Sequence, residues 1–129
     1  MSTRCMTFLA VCVAALALVT PSALSGPVAA SVQIERNATF VASAQIAVPV
    51  IFQCPQGVTG TVLVRVSQQQ LSGPNTTGFG SDNIVCDGSK QMVTVFVNGG
   101  PFTLGQAFAS AEGVWGFSFA TDARTILIG

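Results

Sequence analysis

Three acidic side chains are the residues of this sequence that could carry acid–base chemistry: Asp82, Asp87 and Glu112. A pair of carboxylates can act as general acid and general base, for example on a glycan. The local sequence favours another interpretation, because Asp82-Asn83 and Asp87-Gly88 are dipeptides typical of loops and turns. We therefore predict that all three carboxylates serve turns or face solvent.

The chain of 129 residues contains no histidine. This absence excludes a Ser-His-Asp triad, a Cys-His pair and the most common metal ligand. A zinc site would have to draw on cysteines and scattered carboxylates. We predict no catalytic residue, no metal and no cofactor, and we interpret the protein as a non-enzyme.

The four cysteines fall into two groups. Cys5 and Cys12 lie in an apolar N-terminal segment, whereas Cys54 and Cys86 lie in the body of the chain. An even pair of cysteines in an exported protein is typical of a disulfide. The sequence therefore predicts one disulfide, Cys54–Cys86, which closes a loop of roughly 30 residues.

Residues 1–30 have the pattern of a signal peptide. A basic residue precedes an uncharged apolar run, residues 8–19, whose length of about 12 residues is too short to cross a bilayer. Small residues then predict cleavage between Ala30 and Ser31, with a second candidate site before Gly26. A membrane anchor fits less well, so we expect a secreted or extracellular protein without stable membrane insertion after cleavage.

The mature chain, residues 31–129, is predicted to be a single domain of short strands. Apolar and polar residues alternate, which is the period of a half-buried strand. The segments with strand character are residues 31–41, 45–54, 60–71, 84–86, 90–98, 102–112, 113–119 and 125–128. Together they predict an all-β, immunoglobulin-like sandwich of seven or eight short antiparallel strands, with the disulfide between its sheets.

Two of these segments define the expected core. The face that Cys54 shares comprises Ile46, Val48, Val50 and Phe52. Pro49 in the same segment cannot donate a ladder hydrogen bond, which predicts an edge strand or a bulge. In residues 60–71 the valines take one face, and we expect solvent to cover the opposite face, with Leu63, Arg65, Ser67 and Gln69.

Residues 72–83 predict a loop, because Gly, Pro and Asn dominate this segment. A loop of about a dozen residues is long for a compact domain, and such loops are often functional. The candidate contact residues are Asn75, Thr76, Thr77, Phe79 and Asp82. Phe79 has two alternatives, contact with a partner or packing back onto the core.

Trp115, Phe117 and Phe119 form a second aromatic group, at alternate positions. Such a row could be a stacking platform for a sugar or a partner. We favour a core face, because aromatic rows at this period are more often buried.

Charge is sparse: residues 31–129 hold four basic and five acidic side chains, a net charge of −1. The chain lacks a basic patch that would attract nucleic acid or anionic lipid. We expect an unknown protein or cell-surface partner, and the oligomeric state is left open. Asn37 and Asn75 begin N-glycosylation sequons, whose use depends on the host.

Several short motifs are shared with one group of secreted proteins. The motifs are Cys54, the valine-rich strand ending in Gln68-Gln69-Gln70, the turn Cys86-Asp87-Gly88-Ser89, and Gly105-Gln106-Ala107-Phe108-Ala109. In these, the chain resembles small secreted actinobacterial proteins over most of its mature length. The resemblance implies an exported β-sandwich with one disulfide and carries over no catalytic residue or function.

These observations lead to one main hypothesis and two alternatives. The main hypothesis is an exported, non-catalytic binding or surface-contact module. The first alternative is an inhibitor that presents residues 72–83 to a secreted protease. The second is a glycan-acting enzyme that uses Asp82, Asp87 and Glu112.

Overall fold

The computed structural model describes residues 31–71 and 73–129. The signal peptide predicted for residues 1–30, with its two cysteines and the cleavage site after Ala30, lies outside the described residues. Within the described ranges every regular element is a β-strand, so the all-β prediction is confirmed. No helix in that part of the chain has the length and apolar character needed to cross a membrane.

Eight strands follow one another along the chain. They are β1 (Ser31–Ile34), β2 (Asn37–Ala42), β3 (Gln45–Gln53), β4 (Thr59–Gln68), β5 (Thr76–Val85), β6 (Lys90–Gly99), β7 (Gly105–Trp115) and β8 (Ser118–Ile128). This number agrees with the prediction of seven or eight strands.

The strand pairings close into a ring of seven strands, in the order β3-β2-β8-β7-β4-β5-β6 and back to β3. Strand β1 pairs with β3 beside β2. All pairs are antiparallel except β2–β8, so the prediction of purely antiparallel strands is wrong for this pair. The strands do not separate clearly into the two sheets of the predicted sandwich. Short β2–β8 and β5–β6 pairings, of two residue pairs each, connect the strands that would form one sheet to those that would form the other.

The core lies inside this ring and follows the predicted alternation. The buried side chains of β3 are Ile46, Val48, Val50 and Phe52. The buried valines of β6 lie beside them in the β3–β6 pairing, and the valines of β4 belong to the same core. Cys54 is also buried, and it forms the predicted disulfide with Cys86, with 5.3 Å between the two Cα atoms. The cysteines follow the ends of β3 and β5, which are not neighbours in the ring.

Pro49 lies in a strand that is paired on both sides, so the prediction of an edge strand or a bulge is wrong. The register between β3 and β6 runs through Pro49 without interruption. On the other side of β3, the partner changes from β1 to β2 near this residue, and the Pro49 carbonyl accepts a hydrogen bond from Glu35 N at 3.0 Å. The missing N–H group therefore falls where the ladder is already interrupted.

The predicted loop over residues 72–83 is wrong for most of its length, because β5 begins at Thr76. Ten consecutive residues of β5 pair with β4. Gly78 and Gly80 face β6, and a methyl group at position 78 would lie 2.6 Å from the Phe102 ring. At position 80 it would overlap the backbone of Phe96. These glycines permit close packing of strands, whereas the sequence suggested that they mark a loop.

The polar segment near the C-terminus belongs to β8 and fixes β1. Ile34 N donates a hydrogen bond to Asp122 Oδ2 at 2.8 Å, and Arg124 Nη1 donates to the Ile34 carbonyl at 3.1 Å. Two side chains of β8 thus satisfy both backbone groups of one β1 residue, which a neighbouring strand would otherwise do.

Candidate functional site

The outward-facing side chains of β5, β4, β7 and β8, which lie side by side, form one continuous surface. In β4 the valines point inward, so the residues between them point outward, and the registers place their partners on the same side. We call this surface the aromatic face, and its members are Leu63, Arg65, Ser67, Thr77, Phe79, Ser81, Phe108, Ser110, Glu112, Thr121, Ala123 and Thr125.

Phe79 and Arg65 lie directly opposite each other on β5 and β4. The guanidinium carbon of Arg65 is 5.4 Å from the centroid of the Phe79 ring, which is the geometry of a cation–π contact. Phe79 is 44% exposed, so it does not pack back onto the core. Packing back onto the core, one of the two alternatives for Phe79, is therefore wrong, because the ring lies on the outer surface of β5.

Phe108 is the second aromatic side chain of this face and is 51% exposed on β7. A depression of about 550 Å³ lies between Phe108 and Phe79, and Arg65, Ser67 and Ser110 line it. The depression combines two apolar walls, one cation and three hydroxyl groups, since Thr77 also lines it. This combination suits a side chain with an apolar body and a negatively charged end. The sequence did not single out Phe108, because the alternation in its segment is weak.

Glu112 supplies a negative charge to the same face. It lies opposite Leu63 on β4, and Arg65 lies opposite Ser110, so Arg65 and Glu112 are diagonal neighbours. A second depression, of about 510 Å³, is lined by Arg65 and Glu112 together with Asp122, whose carboxylate accepts the hydrogen bond from Ile34 N. The aromatic face as defined therefore carries one cation and one anion.

A third hollow, of about 1100 Å³, lies where the β4–β5 and β6–β7 connections meet. Its buried Gln68 amide donates to the carbonyls of Thr103 at 2.9 Å and Gln106 at 3.2 Å, and accepts from Thr103 N at 2.9 Å. Gln70 Nε2 donates to Thr76 Oγ1 at 2.9 Å. These glutamines hold the two connections together, a role that the sequence did not reveal.

The candidate carboxylates do not converge. Asp82 lies opposite Val62, whose side chain is buried, and Glu112 lies opposite Leu63, so Asp82 and Glu112 point to opposite faces of the sheet. Asp87 accepts hydrogen bonds from the Ser89 hydroxyl and, at 2.8 Å, from Ser89 N, and these bonds lower the pKa of Asp87 below its usual value. Asp87 thus serves a turn, as predicted.

Metal ligands are equally scattered. Within residues 31–71 and 73–129 no group of three or more His, Cys, Asp or Glu side chains is placed to hold a metal ion. Since Asp82 and Glu112 point to opposite faces of the sheet, these two residues do not form the pair of carboxylates that the acid–base hypothesis needs.

The predicted contact residues are spread over several environments. Asn75 is exposed in the connection before β5, and Thr77 is exposed on the aromatic face. Thr76 is buried and accepts the bond from Gln70. Asp82 is exposed but points to the other side of the sheet. The structure therefore brings Thr77 and Phe79 together and separates the remaining three.

The prediction that Trp115, Phe117 and Phe119 form one core face is wrong. Trp115 is half-buried, and its ring centroid is 5.9 Å from that of Phe52. Phe117 lies in the two-residue turn between β7 and β8 and is fully exposed. Phe119 is 66% exposed and lies opposite Val114, on the same side of the sheet as the aromatic face and beyond one end of it.

The two sequons differ in setting but both asparagines are exposed. Asn37 begins β2, and Asn75 precedes β5. Their use as glycosylation sites stays a prediction.

No protein-family model matches this sequence, and no curated protein matches it. The resemblance to small secreted actinobacterial proteins therefore stays a prediction. What the protein does must be inferred from the chemistry of its own surface.

Proposed function

We propose that this protein is an exported, non-catalytic binding module that contacts a protein or cell-surface partner through the aromatic face. The observation that carries the proposal is the pair of exposed rings, Phe79 and Phe108, on either side of the depression lined by Arg65. Phenylalanine and arginine are enriched in the buried core of protein interfaces, and arginine is among the residues that contribute most to binding energy there. Burying one such ring completely contributes about 1.5–3 kcal/mol.

The position of these residues on paired strands also favours binding. Phe79 belongs to β5, which pairs with β4, and Phe108 belongs to β7, which pairs with β4 on the other side. A partner that binds side chains on a rigid scaffold does not have to order a loop, which lowers the entropic cost of association. The proposed contact surface is therefore the sheet. Of the five predicted contact residues, only Thr77 and Phe79 lie on it.

Export is part of the proposal. A buried disulfide such as Cys54–Cys86 fits an oxidising compartment outside the cytosol. The signal pattern of residues 1–30 supports the same location.

We also propose that the ring is a flattened sandwich with immunoglobulin-like connectivity. In support, the first part of the chain is divided: β1 pairs antiparallel with β3, whereas β2 pairs parallel with β8. The two short pairings, β2–β8 and β5–β6, would then be the seams between two sheets that pack face to face.

A capture experiment with matched variants tests the binding proposal. The purified protein is immobilised and exposed to culture medium and cell-wall extract, and bound proteins are identified by mass spectrometry. We expect Phe79→Ser and Phe108→Ser to lose partners that the unchanged protein captures. The control is Met92→Ser on β6, because Met92 is 58% exposed and lies opposite Ile51 on β3, near the end of β6 remote from Asn98, the residue that pairs with Phe79. Full capture by both test variants, with unchanged circular dichroism, would contradict the proposal.

A further inference from the structure

We propose that the partner of the aromatic face is a second copy of this chain, an inference that rests on the proposed function of that face. The starting observation is charge. Arg65 and Glu112 have opposite signs and lie on neighbouring strands, at diagonal positions of the β4–β7 register. The Cα atoms of such diagonal neighbours are about 7–8 Å apart. The face is thus charged in a way that is complementary to itself.

Two-fold symmetry makes use of this arrangement. A symmetric dimer has the same patch on both subunits, and the patch must be self-complementary. When two aromatic faces stack, a two-fold axis between them can bisect the line from Arg65 to Glu112 at a right angle. This axis exchanges the two positions, so each Arg65 lies over Glu112 of the second copy. Two equivalent ion pairs form, and no like charges meet.

The apolar surroundings of the charged pair strengthen this contact. Phe79 and Phe108 lie on two sides of Arg65, and Leu63 lies opposite Glu112. The depressions beside Arg65 and Glu112, of about 550 and 510 Å³, leave room for side chains of the second copy. Apolar residues around a charged contact exclude water, and exclusion of water strengthens electrostatic attraction.

The area of the face limits the affinity. Four strands about 4.8 Å apart, each about ten residues long with a rise of about 3.3 Å, cover on the order of 600 Å² per copy. A stable interface of standard size buries about 800 Å² per partner. The dimer is therefore reversible, with a Kd in the micromolar range.

Charge reversal tests the dimer. The purified protein is studied by sedimentation velocity from about 1 μM to about 1 mM, a range that brackets a micromolar Kd. The unchanged protein is expected to shift from monomer to dimer as concentration rises. Arg65→Glu and Glu112→Arg, tested separately, are each expected to raise the Kd at least about tenfold, because like charges then face each other. Lys90→Glu on β6, outside the face, serves as the control and leaves the Kd unchanged.

Two recovery measurements make the test specific. An equimolar mixture of the Arg65→Glu and Glu112→Arg proteins is expected to associate, because both ion pairs re-form with reversed or native polarity across the two-fold axis. The variant that carries both changes is expected to dimerise with itself. A monomeric unchanged protein at every concentration, or failure of the mixture to associate, would overturn the inference. Loss of partner capture by Phe79→Ser together with a monomeric unchanged protein would overturn the dimer and leave the binding proposal standing.

Discussion

Gly113→Ala offers the sharpest test of the packing around Phe52. The Phe52 ring is fully buried and occupies the space that a side chain at position 113 would need. A methyl group there would lie 2.9 Å from two ring carbons and closer still to a third. Ordinary carbon–carbon contacts are about 3.5–4.0 Å, so the ring would have to move by about 1 Å.

The ring has little freedom to make this movement. Trp115 packs on it with 5.9 Å between ring centroids, and a methyl group at Gly60 would lie 2.6 Å from its far edge. Overpacking of this kind costs about 1–3 kcal/mol. We therefore expect Gly113→Ala to lower the free energy of unfolding by that amount, a large fraction of the about 5–15 kcal/mol typical of a folded domain.

Urea unfolding of the oxidised protein measures this change, and the fluorescence of Trp115, the single tryptophan, reports it. The matched background is Phe52→Leu, which removes the ring. In that background Gly113→Ala should cost at least about 1 kcal/mol less, because contacting residues are energetically coupled. Equal costs of Gly113→Ala in both backgrounds would refute the steric explanation.

Three further changes have outcomes fixed by the structure. Replacing Cys54 and Cys86 together by Ser should lower the free energy of unfolding by about 4 kcal/mol, because the disulfide joins residues 32 apart in sequence; urea unfolding measures it. Gly80→Ala should lower the thermal midpoint more than Gly113→Ala, because its methyl group would overlap the backbone of β6, which cannot rotate away; differential scanning calorimetry compares the two. Asp87→Asn should differ from the unchanged protein in stability above about pH 4 and converge with it in acid. Bonds from Ser89 lower the folded pKa of Asp87, so its contribution is present above the unfolded pKa and is lost as pH falls through the folded value.

Each of these expectations has a contrary result. A double serine variant as stable as the oxidised protein would mean that the disulfide restrains nothing in the unfolded chain. A harmless alanine at position 80 would contradict the close approach of β5 to β6. Parallel stability curves for Asp87→Asn and the unchanged protein, measured by urea unfolding from pH 2 to pH 7, would contradict the role of Ser89.

The core could be predicted from the sequence because alternation along one strand is a local property. Every second residue from Ile46 to Phe52 is apolar, and these side chains point inward whichever strands lie beside them. The disulfide was predictable because only one pair of cysteines lies in the body of the chain. The β5 strand was not predictable, because Gly78 and Gly80 are loop signals until a neighbouring strand is known to pack against them.

The aromatic row shows a second limit of local patterns. The alternation of Trp115, Phe117 and Phe119 suggested one face, but Trp115 lies opposite Ser118 and the chain reverses between them. A period of two residues does not reveal a two-residue turn. As a result, Trp115 and Phe119 lie on opposite sides of the sheet.

The candidate site needed the strand register. Phe79 and Arg65 are far apart in sequence, and their contact depends on the pairing of β5 with β4. The proximity of Glu112 to Arg65 depends on the further pairing of β4 with β7. Register is set by the fold as a whole, so the residues of this site could be noticed one by one but not assembled.

The disulfide has a consequence for the fate of the protein outside the cell. It encloses β4, β5 and the connection between them, so a protease that cuts this connection would leave two polypeptides still covalently joined. Ten paired residues would also keep the two strands in register. A nicked molecule would therefore run as one band on a non-reducing gel and as two fragments after reduction, with both halves of the Phe79–Arg65 contact still in the same particle.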